Sequence, residues 1–80
     1  MWTIYTRDLC NYCDMAKAEM DLLKINYKVI NQTKETKSEL IERSGISEDK
    51  LTYPQIFHDN GELIGGYTDL LDYTEDLNMG

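Results

Sequence analysis

Residues 5–20 read YTRDLCNYCDMAKAEM, and they hold both cysteines of the chain, Cys10 and Cys13. Just ahead of them, Trp2-Thr3-Ile4-Tyr5-Thr6 is β-branched and aromatic and reads as a strand. From Asn11 to Lys24 the composition turns to helix formers, with Ala16, Met20 and Leu23 at helical spacing on one face. The cysteines therefore fall on a strand-to-helix junction, Cys10 at the end of the loop and Cys13 inside the first turn. Residues i and i+3 share a helix face, so the two sulfurs can reach bonding distance with little backbone movement. Cys10 sits where unpaired backbone N–H groups and the helix dipole favour negative charge, which lowers a thiol pKa. A thiolate there attacks a disulfide, and the second thiol can resolve the mixed disulfide that forms. Arg7 and Lys17 favour the thiolate, whereas Asp8 and Asp14 oppose it. A structural zinc site needs about four ligands. His58 is the only further obvious N/S donor, and it is expected near an exposed hairpin tip. A Cys-x-x-Cys pair on such a junction reads instead as a redox motif.

Outward from this stretch, YKVIN (27–31) reads as a second strand. Thr36-Lys37-Ser38-Glu39 has the form of a capping box, Leu40 and Ile41 follow, and Gly45 offers a stop, which predicts a second helix. In QIFHDNGELI (55–64), Asn60-Gly61 stands between two apolar pairs, a hairpin signal. Thr68 is expected to cap a last helix over 69–77, acidic at Asp69, Asp72, Glu75 and Asp76. The order is β-α-β-α-β-β-α. A strand–helix–strand opening implies a right-handed crossover and a parallel pair, and the hairpin adds antiparallel strands. The expected fold is α/β: a four-stranded mixed sheet flanked by three helices, the thioredoxin-like arrangement, in a single domain over 1–80.

A chain of 80 residues buries only about 60–65% of its extended surface, so the core is modest. The net charge is −7, spread as +1 over residues 1–34 and −8 over residues 35–80. Such a surface repels phosphate backbones and argues against nucleic-acid binding. No apolar run approaches the roughly 18–20 residues of a membrane span, and no basic-then-apolar leader opens the chain. With two cysteines only, a disulfide-stapled miniprotein is excluded and a reducing, cytoplasmic compartment is expected.

Two further stretches carry chemistry. In TYPQIF the only proline, Pro54, reads either as a strand-starter or as the site of a cis peptide after Tyr53. In IGGYTDL, Gly65-Gly66 reads as a turn, or as bare backbone that a ligand can approach beside a helix N-terminus. Taken in order, IYTRDLCNYCDMAKAEM, IERSG, TYPQIF and IGGYTDL resemble a glutaredoxin of the small dithiol type, from Ile4 to about Leu71.

The resemblance implies glutathione as co-substrate and reductant, and reduction of protein disulfides and glutathione mixed disulfides. By position, Cys10 is similar to the family's nucleophile and Cys13 to its resolving thiol, with Tyr12 beside them. Arg7 stands where a lysine commonly meets the glycine carboxylate of glutathione, and Lys37 near a further polar contact to that group. Thr52-Tyr53-Pro54 resembles the segment whose backbone pairs with the cysteinyl unit. Gly65, Gly66, Thr68 and Asp69, with Tyr67 among them, resemble the segment holding the γ-glutamyl end, where Asp69 can pair with the ammonium. Asn11 replaces the family's usual proline, which restores a backbone N–H, and Tyr53 replaces its usual valine. The implied partners are glutathione and disulfide-containing or glutathionylated proteins, with ribonucleotide reductase one candidate recipient, for a monomer without resident metal. The alternative is a dimer holding a [2Fe–2S] cluster through the first cysteine of each subunit and two glutathiones.

Overall fold

The structure, a computed structural model, describes residues 1–79, with side chains through Glu75. The elements run β1 (Trp2–Thr6), α1 (Asn11–Leu22), β2 (Tyr27–Asn31), α2 (Lys34–Ser44), a short 3₁₀ turn (Glu48–Lys50), β3 (Gln55–Phe57), β4 (Leu63–Gly65) and α3 (Tyr67–Met79). The sheet order is β2-β1-β3-β4. β1 pairs parallel with β2, and antiparallel with β3, which pairs antiparallel with β4. This is the mixed sheet with three helices expected from the element order, the thioredoxin-like arrangement.

Every residue of β1 is buried, because the strand is central and covered on both faces. Alternation splits its side chains between two cores. Trp2 and Ile4 join Ala16 and Met20 of α1, Ile56 of β3 and Leu70 of α3 on one face. Tyr5 joins Leu40 of α2 and Phe57 of β3 on the other. Each large buried side chain contributes roughly 1.5–3 kcal/mol relative to exposure, so these few residues carry most of the apolar driving force. Arg43 closes the second core, its guanidinium 3.9 Å above the Phe57 ring and bonded to the Tyr5 hydroxyl at 3.3 Å.

Several element ends differ from the sequence expectation. α1 stops at Leu22 rather than Lys24, and Lys24 adopts φ 59°. α2 begins three residues earlier than the Thr36 box suggests. Thr33 is the N-cap: its hydroxyl accepts from Thr36 N–H at 3.1 Å, and Thr36 Oγ1 accepts from Thr33 N–H at 2.7 Å. Glu39, expected to close the Thr36 box, instead accepts from the Tyr5 hydroxyl at 2.9 Å. Gly45 ends the helix in the left-handed conformation, as expected.

The hairpin turn spans three residues. Gly61 N–H donates to the His58 carbonyl and His58 N–H to the Glu62 carbonyl, both at 2.9 Å, with Gly61 at φ 90°. Asn60-Gly61 thus sits one place later than in a two-residue turn. Next, Ile56 pairs with Gly65 while Phe57 pairs with Leu63, so Ile64 is the extra residue of a bulge. The bulge, with Gly65 at φ 119°, delivers Gly65-Gly66 to the start of α3.

Thr68 does not cap α3. Leu70 N–H bonds the Gly66 carbonyl at 2.9 Å, which makes Gly66 the cap position, and Asp69 Oδ2 accepts from Gly66 N–H at 3.0 Å. The helix runs Tyr67–Met79 rather than 69–77, and the side chain of Asp76 lies outside the described residues.

Candidate active site

Cys10 is the N-cap of α1 in extended conformation, and its sulfur accepts the N–H of Cys13 at 3.1 Å. The cap is therefore the reactive atom itself: the helix terminus places a free N–H and its positive dipole end on Sγ. Cys10 and Cys13 are joined in a disulfide. Cys10 retains 7% exposure and Cys13 only 1%, so an attacking group reaches Cys10 first. Leu9, fully exposed at φ 54°, turns the chain into the cap.

The Tyr53 carbonyl oxygen lies 3.8 Å from Cys10 Sγ, and the Tyr53–Pro54 peptide is cis. Behind this loop, Gln55 Nε2 donates to the Thr52 carbonyl at 3.0 Å and to the Thr52 hydroxyl at 3.2 Å. The bond to the carbonyl fixes which end of the amide is the donor. Gln55 Oε1 is left buried without a partner among the described residues.

Beside Cys10 opens a cleft of about 900 Å³, within the size of small-molecule sites. Arg7, Tyr12, Lys37, Thr52, Tyr53, Pro54, Gly65, Gly66, Thr68 and Asp69 all line it. The structure thus brings together every residue that the sequence assigned to a glutathione site, drawn from five separate segments. Tyr12 is 60% exposed and leans on Tyr67, ring centroids 6.2 Å apart, and both rings line the cleft. Burial pushes the Tyr53 phenol above its ordinary pKa, and the charges of Lys37 and Arg7 oppose that rise. Asp69 stands beside Gly65 and Gly66, its carboxylate held by the Gly66 N–H.

Sequence reading missed Glu48 and Gln55, which line the same cleft. Gln55 had a local signal, since it follows Pro54. Glu48 had none, because only the fold carries it back to Lys37. His58 sits in the hairpin turn, half-buried, with its ring 4.7 Å from Trp2 and Nδ1 2.7 Å from Asp59 Oδ1. Among the described residues no three His, Cys, Asp or Glu side chains gather as metal ligands.

The glutaredoxin family model matches residues 2–64. Glutaredoxin 1 of Rickettsia typhi is 42% identical over 76 residues, covering 91% of this chain and 69% of the relative. Glutaredoxin 3 of Escherichia coli is 38% identical over 69 residues, covering 84% and 77%. Among solved structures, glutaredoxin 1 from Francisella tularensis superposes with a TM-score of 0.73 at 28% identity, over 99% of this chain and 96% of that one. Glutaredoxin from Brucella melitensis gives 0.73 at 35% identity, over 94% and 78%. Relatives of this likeness, sharing the fold over almost the whole chain, make the Cys10–Cys13 pair that of a thiol–disulfide oxidoreductase: the chain belongs to the glutaredoxin family.

Proposed function

We propose that this glutaredoxin draws its electrons from glutathione and delivers them to glutathione mixed disulfides and protein disulfides. The observation that carries the reading is the cleft itself. It opens beside the more exposed sulfur and is lined by two cations, Arg7 and Lys37, and by Asp69 with the α3 N-terminus, a set of charges suited to a zwitterionic, twice-carboxylated thiol peptide. Cations meet the glycyl carboxylate, helix N–H groups meet the γ-glutamyl carboxylate, and Asp69 meets the ammonium.

With a glutathionylated substrate, Cys10 thiolate attacks the glutathione sulfur. The Cys10–glutathione bond forms, the substrate thiolate leaves and takes a proton, and Cys13 is not needed. A second glutathione thiolate then attacks the glutathione sulfur of that mixed disulfide, releasing oxidised glutathione and Cys10 thiolate. With a protein disulfide, Cys10 attacks one sulfur and Cys13 displaces it, giving the Cys10–Cys13 disulfide and a dithiol substrate. Two glutathiones, the first attacking the accessible Cys10, restore the dithiol and leave as one oxidised glutathione. The Cys13 N–H on Cys10 Sγ stabilises the thiolate that starts and ends both routes. We place the protein in a reducing, cytoplasmic compartment, acting as a monomer, with ribonucleotide reductase a candidate recipient.

Turnover of a small glutathione mixed disulfide, coupled through glutathione reductase to NADPH, tests this. The parent is expected to turn over, Cys13→Ser to keep activity and Cys10→Ser to have none. A parent without turnover, or an active Cys10→Ser, overturns the reading.

A further inference from the structure

One of the two cleft cations is already engaged. Lys37 Nζ lies 3.1 Å from Glu48 Oε1, and both residues line the cleft. Glu48 opens the 3₁₀ turn that follows the Gly45 reversal, and the fold brings it back over the first turns of α2. Arg7, by contrast, has no ion-pair partner among the described residues. The cleft charges Arg7, Lys37, Glu48 and Asp69 therefore sum to zero. A carboxylate arriving at Lys37 has to displace Glu48 or share the ammonium with it. The Glu48 side chain is 74% exposed, so water receives it readily when it swings away.

We propose that Glu48 is a specificity-determining residue of the glutathione site, an internal carboxylate that competes with the glycyl carboxylate for Lys37. The inference rests on the glutathione reading above and deepens it. Glu48 lowers the affinity for the anionic end of glutathione and leaves the chemistry at Cys10 untouched. An exposed pair of this kind shifts an equilibrium by about two- to five-fold, which sets the size of the effect. The competition exists only when the ligand carries a carboxylate at that end.

The test is steady-state turnover with the glutathione mixed disulfide varied at fixed glutathione, for the parent, Glu48→Gln, Lys37→Gln and the double variant. The same series is repeated with a mixed disulfide whose glutathionyl glycyl carboxylate is converted to the amide. Glu48→Gln is expected to lower the apparent KM for the mixed disulfide about two- to five-fold, with the effect in KM rather than kcat. The gain is expected to vanish in the Lys37→Gln background and with the amide. A KM that is unchanged or raised in Glu48→Gln overturns the proposal, as does a gain that persists with the amide. If the parent itself shows no glutathione-dependent turnover, the glutathione reading fails first, and that outcome is distinct because it appears before any Glu48 comparison.

Discussion

The adjacent glycines at the foot of the cleft are expected to respond very differently to a single methyl group. Gly65 has φ 119°, a conformation L side chains rarely adopt, and a Cβ there would stand 2.8 Å from Asp69 Cγ and closer still to Oδ2. In Gly65→Ala the backbone penalty is about 1–2 kcal/mol. The Asp69 carboxylate must also leave the Gly66 N–H, and losing such a cap costs about 0.5–2 kcal/mol. Together this is roughly 1.5–4 kcal/mol, or about 6–30 °C in Tm for a domain of this size. At Gly66 the added Cβ meets the Pro54 carbonyl oxygen at 3.6 Å and Asp69 Oδ2 at 3.9 Å, which is ordinary contact. Gly66→Ala is therefore expected to stay within about 1 kcal/mol of the parent. Urea unfolding followed by circular dichroism, on all three proteins in the disulfide form, measures the difference. Two variants of equal stability would refute the argument that the bulge geometry and the Asp69 cap form one unit.

Leu9 carries a smaller strain without compensating contact, since it is fully exposed at φ 54°. Leu9→Asn, a residue that tolerates this conformation, is expected to gain about 0.5–1 kcal/mol, read from the urea midpoint; an unchanged midpoint would count against strain there. Alkaline stability follows from Tyr5, whose phenol is pushed above its ordinary pKa first by burial, with Glu39 adding to the rise and Arg43 opposing it. The native state then keeps a proton that the unfolded chain gives up at about pH 10. Tyr5 thus contributes stability that is full below that pH and lost as pH rises through the raised native value. The free energy of unfolding is expected to fall through that window, less steeply in Tyr5→Phe; an ordinary phenol titration by ultraviolet absorbance would contradict this.

The order of elements was legible because it rests on local physics. β1 is β-branched and aromatic, Ala16 and Met20 share a helix face, and Gly45 and Gly61 take positive φ where a stop and a turn were read. Helix starts were less legible, because the choice between neighbouring cap candidates is made elsewhere in the fold. Thr33 and Thr36 are both competent caps by themselves. The structure chooses Thr33 because Glu39, the partner a Thr36 box needs, is taken by Tyr5 from 34 positions away. Thr68 loses its cap role in the same way. The bulge at Ile64 turns Gly66 into the terminal residue, and Asp69 is the carboxylate three positions on. Spacing alone does not reveal a bulge.

The site divides along the same line. The cysteine pair declared its chemistry through its own spacing, because a helix N-terminus and an i, i+3 pair are local geometry. The cleft did not: its lining residues come from segments that no period connects, and only resemblance to a family gathered them. What resemblance cannot supply is the setting that this chain builds around those positions. Lys37 was placed as a ligand contact, yet its charge is half spoken for by Glu48, 11 positions on and beyond the reach of any helical pairing. Tyr53 was placed for its backbone, yet its phenol feels both cleft cations. A family motif thus says which atoms meet the substrate, whereas the strength of each meeting is set by neighbours outside the motif. In a chain of net charge −7, those neighbours decide how much of the repulsion felt by an anionic ligand is offset locally. On the glutathione reading proposed above, Arg7, which has no acidic partner among the described residues, carries more of that attraction than Lys37 does.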